Sequence, residues 1–133
     1  MSSFLLDTSA YSAFQRGHAE IGASVRGAER VMISPVALGE LLSGFRQGKD
    51  RRANEALLER FLATPGAEVI VVDRATADCY AAIHASLRES GAMVSANDLW
   101  IAASAMQYGL WLLTTDSDFL RIPQILVEFH EPR

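Results

Sequence analysis

The sequence has little cysteine: Cys79 stands alone among 133 residues. It cannot close an internal disulfide, and no metal-ligand spacing surrounds it, so neither a disulfide framework nor a cysteine-based zinc site is available. Long apolar runs are missing too, since none approaches the roughly 18 residues a membrane span requires. No basic leader precedes the first strand-like segment, and the expectation is a cytoplasmic protein without an export signal, in a reducing compartment. Positive charge is scarce: twelve Lys and Arg against sixteen Asp and Glu leave a net charge of -4, and Lys49 is the only lysine. That balance excludes a protein that coats nucleic acid through bulk electrostatics. It does not exclude a nuclease, because acids that hold metal enter the same total and a local basic patch suffices to hold phosphate.

Half the residues are hydrophobic and 21% are charged, the balance of an ordinary globular chain. No internal repeat or low-complexity linker interrupts it, and the length suits one domain spanning residues 1–133. Ser3 to Leu6 reads as a strand ending at Asp7, whose side chain, with Thr8 and Ser9, can start a helix. That helix runs to about Arg16 and breaks at Gly17, and a second runs from about His18 to Arg26. Val31 to Ile33 is strand two. Ser34-Pro35 opens a further helix, with serine as cap and proline at the first helical position. Gly48 and Asp50 end it and start another, to about Leu62. Glu68 to Val72 reads as a buried, β-branched third strand. Helices follow from Arg74 to Glu89 and from Ala96 to Tyr108, the latter closed by Gly109 in a left-handed cap. Leu110 to Leu113 is strand four and Ile125 to Val127 the last.

Short apolar strands alternating with helices predict a three-layer α/β/α sandwich around a mostly parallel sheet of four to five strands. In such sheets chemistry collects beyond the carboxyl ends of the strands, where crossovers diverge. Asp7 and Asp116 both fall there. For each the plain alternative is capping of the following helix. Asp98 has the same alternative, since Ser95 to Asp98 matches a capping box, but the helix behind it is apolar nearly all round and predicts burial. Glu40 sits at the edge of an apolar helical stripe, with Gly44 one turn on leaving space beside it. Four carboxylates about 4 Å apart would repel by about 1 kcal/mol per pair in water-like surroundings and about 4 kcal/mol in a half-buried site, so they demand a counter-charge. No Lys or Arg adjoins any of the four, and His18, His84 and His130 show no ligand spacing. Hard oxygen donors point to magnesium or manganese. A cation so held lowers the pKa of a bound water and neutralises charge on a phosphodiester, which is nuclease chemistry. Thr114 is a candidate to orient a ligand or water, as are Ser9 and Thr8 near Asp7, and Asp118 is a candidate outer acid. Arg46, Lys49, Arg51 and Arg52 form the densest basic run and are candidate RNA-phosphate contacts, against the alternative of a solvated helix face.

The segments Phe4-Leu5-Leu6-Asp7-Thr8-Ser9, Ser34-Pro35-Val36-Ala37-Leu38-Gly39-Glu40-Leu41, Asn97-Asp98-Leu99-Trp100-Ile101-Ala102-Ala103 and Leu113-Thr114-Thr115-Asp116-Ser117-Asp118-Phe119 together form a pattern. The chain resembles a PIN-domain ribonuclease of the VapC toxin type, across essentially its whole length. The resemblance implies a magnesium- or manganese-dependent endoribonuclease acting on transfer or ribosomal RNA, a cognate antitoxin protein and a homodimer. It places Asp7, Glu40, Asp98 and Asp116 on the four acidic positions, with Asp7 and Asp98 as direct metal ligands, and Thr114 on the accompanying hydroxyl position. Thr115 stands where many members carry asparagine. Two other readings remain at this stage. A magnesium-dependent phosphoacceptor or phosphatase domain would want a lysine beyond a late strand, and Lys49 lies elsewhere in the order. A non-catalytic, partner-binding module of the same fold would be marked by loss of an acid.

Overall fold

The computed structural model describes residues 2–133. Strand β1 (Ser3–Leu6) leads into helices α1 (Thr8–Gln15) and α2 (Ala19–Gly27). Strand β2 (Arg30–Ile33) leads into α3 (Pro35–Gln47) and α4 (Arg51–Leu62). Strand β3 (Ala67–Val69) leads into α5 (Arg74–Ser90) and α6 (Ala96–Tyr108). Strand β4 (Trp111–Thr114), a 3₁₀ turn (Ser117–Arg121) and β5 (Leu126–Phe129) complete the order.

The strands form one sheet in the order β3-β2-β1-β4-β5, and every pairing is parallel. The first two crossovers step one way along the sheet and the third returns past β1 to β4. With the right-handed connections that parallel strands follow, α1 to α4 cover one face and α5 with α6 the other. This is the expected three-layer sandwich, with five strands. Leu5, Leu6, Ile33, Leu112 and Leu113 of the three central strands are fully buried, each contributing roughly 1.5–3 kcal/mol by leaving water. The crossovers diverge between β1 and β4. Their registered partners Leu6 and Leu113 bring the two strands' carboxyl ends level, and the Asp7 N–H reaches the Leu113 carbonyl.

Local chemistry sets most boundaries. The Ser34 hydroxyl accepts from the Val36 N–H at the head of α3, with Pro35 in its first turn. Gly109 adopts φ +64° after α6, and the Leu110 N–H bonds back to the Ala105 carbonyl. That bond removes Leu110 from the ladder, so β4 begins at Trp111 instead of Leu110 and includes Thr114. β5 follows the same shift, pairing Leu126 with Trp111 and Phe129 with Thr114.

The expectation of a buried third strand over Glu68–Val72 is corrected. β3 is a three-residue edge strand bonded only to β2, and Val71 is 63% exposed. Its partner sets its end: β2 stops at Ile33 because Ser34-Pro35 turns into α3, and the Ile70 N–H takes the last available carbonyl, that of Ile33.

Two glycines should separate conformational strain from steric strain. Gly109 has positive φ with nothing within 4 Å of an added Cβ. Gly66 has φ +87° and would place that Cβ 2.9 Å from the Glu29 carbonyl oxygen. Gly109→Ala is expected to cost roughly 1–2 kcal/mol in urea unfolding, the left-handed penalty alone, and Gly66→Ala clearly more. Equal losses would contradict the steric part.

Candidate functional site

Four elements deliver acids to the crevice beyond β1 and β4. Asp7 ends β1 and caps α1, its Oδ1 accepting the Ala10 N–H at 2.8 Å. Asp116 follows β4 and caps the 3₁₀ turn, accepting the Asp118 N–H at 2.9 Å. Asp98 lies in the first turn of α6 behind its cap Ser95. Glu40 projects from the middle of α3. Capping and clustering therefore coexist: the caps aim the carboxylates.

Asp7 is 4% exposed, and its environment is built around that burial. The Thr114 hydroxyl donates to Oδ2 at 2.8 Å, and the Ser9 hydroxyl reaches both carboxylate oxygens at 2.8 and 2.9 Å. Each hydroxyl oxygen also accepts a backbone N–H, Asp116 on Thr114 and Thr115 on Ser9, which leaves its proton for the acid. Burial pushes the Asp7 pKa up. The bonds from Ala10, Thr114 and Ser9 pull it down, and the Asp116 charge adds to the rise.

Glu40 is held from two other helices. The Thr8 hydroxyl donates to Oε1 at 2.6 Å and the Asn97 amide to Oε2 at 3.2 Å. Asp98, Asp116 and Asp118 form the tightest group, each offering a carboxylate oxygen within 4.8 Å of the others. Burial first, then the Asp116 charge, push the Asp98 pKa up to about 6; Ser95 offsets part of this, and Asp7 and Glu40 add smaller rises. The other three expected acids thus all act on the Asp98 carboxyl group.

Among the described residues no Lys or Arg pairs with Asp7, Glu40, Asp98 or Asp116. Only Asp118 has a cation, Arg121 at 3.6 Å. An all-oxygen donor set, partly desolvated and short of positive charge, fits a hard divalent cation.

Glu40 and Asn97 also line an open cleft of about 620 Å³ along α3 with Val36, Gly39, Ser43 and Gly44. An added Cβ on Gly39 or Gly44 would meet nothing within 4 Å. Arg46, Lys49, Arg51 and Arg52 are exposed at the corner between α3 and α4, and Arg51 is engaged by Glu55 at 3.0 Å. A second cavity, about 400 Å³ and mostly apolar, lies among α1, α2 and α4 and is lined by none of the five acids.

The sequence pattern picked out the acids and Thr114. It assigned Thr8 to the neighbourhood of Asp7, whereas Thr8 serves Glu40 and Ser9 serves Asp7. It gave Asn97 no role. The available signal was an amide immediately before Asp98, on the helix turn that faces α3.

The PIN domain sequence pattern matches residues 4–125. The chain is 33% identical to Ribonuclease VapC5 of Mycobacterium tuberculosis over 115 residues, 86% of this chain and 84% of that protein. It is 33% identical to Ribonuclease VapC4 of the same organism over 95 residues, 71% and 73% of the two chains. Among solved structures it is similar to a chain of the Mycobacterium tuberculosis VapBC-5 toxin-antitoxin structure, with a TM-score of 0.75, 31% identity and 98% and 99% coverage. It is also similar to a chain of the DNA-bound VapBC structure from Salmonella typhimurium, with a TM-score of 0.83, 30% identity and 96% and 98% coverage.

Burial, with the crowding added to it, has a pH signature. An acid whose pKa is higher folded than unfolded favours the folded state only while protonated, so its contribution is lost as pH rises between the two values. For Asp98 that window runs from about 4 to about 6, and Asp7 shifts in the same direction. In the presence of a chelator, wild type should lose melting temperature relative to Asp98→Asn between pH 4 and pH 7, and manganese should restore it. Overlaid pH profiles for the two proteins would contradict this.

Proposed function

The chain belongs to the PIN-domain family, and from that premise we propose that the acidic crevice is the site at which it cleaves RNA. The protein is an RNA-cleaving hydrolase, an endoribonuclease acting as the toxin of a toxin-antitoxin pair, and its partners are RNA and a cognate antitoxin protein. The observation that carries the reading of the site is the convergence of Asp7, Glu40, Asp98 and Asp116 around one partly desolvated position without a compensating Lys or Arg.

Asp7, Asp98 and Asp116 would hold a magnesium or manganese ion, with Glu40 facing it and Asp118 at the rim. When bound, the ion supplies charge neutralisation at a phosphodiester and acidifies bound water. The rest is done by the chain. Thr114 and Ser9 hold the Asp7 carboxylate in one orientation and offset its burial. The N-terminal ends of α1 and α6 contribute partial positive charge beside Asp7 and Asp98. Arg46, Lys49, Arg51 and Arg52 offer phosphate contacts beyond the cleft, and Gly39 and Gly44 keep its wall low. A single nuclease domain, action in the cytoplasm on transfer or ribosomal RNA, and a homodimer complete the reading. Among the described residues no helix is long and apolar enough to cross a membrane.

Two rivals are weaker. A phosphoacceptor domain needs a lysine at the strand ends, and Lys49 is at the α3–α4 corner. A partner-binding module without catalysis has no need of the uncompensated acids.

The test is cleavage of transfer and ribosomal RNA by the purified protein with magnesium, with manganese and with chelator. Asp116→Asn should still fold, because asparagine caps about as well as aspartate. It should lose activity on the order of a hundredfold or more. Cleavage that survives both chelation and this substitution would overturn the metal-dependent reading.

A further inference from the structure

The Glu40 carboxylate is held by two neutral donors from different helices. Thr8, the first residue of α1, gives its hydroxyl proton to one oxygen, and Asn97, the second residue of α6, gives an amide proton to the other. Thr8 and Glu40 are 32 positions apart, and Asn97 and Glu40 are 57 apart. The arrangement is therefore a tertiary clamp across three helices, with no part of it a local capping pattern.

We propose that Thr8 and Asn97 are positioning residues that fix Glu40 toward the metal position while leaving its negative charge intact. This rests on the metal-dependent reading of the crevice.

Three features carry it. A glutamate in mid-helix has several rotatable bonds and, beside an open cleft, would swing into solvent unless tied. An arginine or lysine would tie it but cancel the charge that a cation needs; a hydroxyl and an amide tie it and cancel nothing. Each carboxylate oxygen accepts one proton from the clamp and has a further lone pair, so both retain capacity toward the crevice. The structure also separates this clamp from the one on Asp7. Thr8 and Ser9 are adjacent on α1, yet Thr8 serves Glu40 and Ser9 serves Asp7, so a single helix start orients two of the acids.

The experiment is manganese titration of the purified protein by calorimetry, which needs no RNA substrate. Thr8→Val keeps the branched shape and removes the donor. It should weaken manganese binding about tenfold, and Asn97→Ala should do the same. Thr8→Ser should restore affinity to within about twofold. In a Glu40→Gln background neither substitution should weaken binding further, because both act through that carboxylate. A purely structural role predicts additive losses in that background and a parallel fall in the melting temperature of the metal-free protein. Additive losses would overturn the clamp, as would wild-type affinity in Thr8→Val and Asn97→Ala when Asp98→Asn has lost binding. If wild type takes up no manganese, the clamp and the metal-dependent reading fall together. If wild type binds and only the clamp variants are silent, the clamp alone falls.

Discussion

A buried carboxylate at the divergence point of a parallel sheet is the constraint from which the rest of the site follows. Asp7 leaves water almost completely, and an ion removed from water must be hydrogen-bonded or neutralised. The fold answers with three donors of its own in place of a Lys or Arg: the Ala10 N–H, the Thr114 hydroxyl and the Ser9 hydroxyl, whose single proton both carboxylate oxygens share. To aim the two hydroxyls, the backbone N–H groups of Thr115 and Asp116 are committed to them. The conformation of the chain after β4 is thereby tied to the protonation chemistry of a residue at the end of β1. Asp116 takes its position from the same turn. The acids sit directly above Leu5, Leu6, Leu112 and Leu113, whose burial offsets the repulsion that the cluster introduces.

Capping and clustering look like competing explanations when residues are taken one at a time, and the structure shows both at once. Asp7 and Asp116 accept backbone N–H groups at the starts of the elements that follow them. Asp98 lies in the first turn of its own helix. Each acid is therefore beside the partially positive end of a helical segment, which favours its ionised form without supplying a competing cation. Glu40 is the exception. It comes from mid-helix, has no helix end to lean on, and is held by side chains alone, those of Thr8 and Asn97.

That difference also explains what was legible in the sequence. Helix starts and stops at Ser34-Pro35, Ser95 and Gly109 are set by chemistry within a few residues, and reading the residues finds them. Asp7 and Asp116 were legible because strand ends in a parallel sheet share a rim whatever the strand order. Strand order itself is non-local. Val69 and Val71 have the composition of an interior strand, but β3 pairs on one side only, and nothing within the segment records this. Strand four was misplaced by one residue because the closure of α6 takes the Leu110 N–H. The partner of Thr8 was illegible for the same reason as β3: its position on α1 points to the neighbouring Asp7, whereas its actual acceptor depends on how α3 packs.

The physical economy of the crevice lies in the repulsion itself. In the absence of a cation, Asp98 answers its burial first and the crowding second by holding its proton up to a pKa of about 6. On the proposed metal-dependent reading, a divalent ion that binds only the folded state would convert that unfavourable term into affinity, since ionised acids that cost stability when empty become ligands when filled. Proton and cation would then compete for the same cluster. The neutral donors around Asp7 and Glu40 keep the outcome open: they orient the carboxylates without satisfying their charge. A chain stabilised instead by an arginine in the crevice would be a better-behaved fold and a poorer metal site. On the proposed reading, the scarcity of positive charge near these acids serves the metal site.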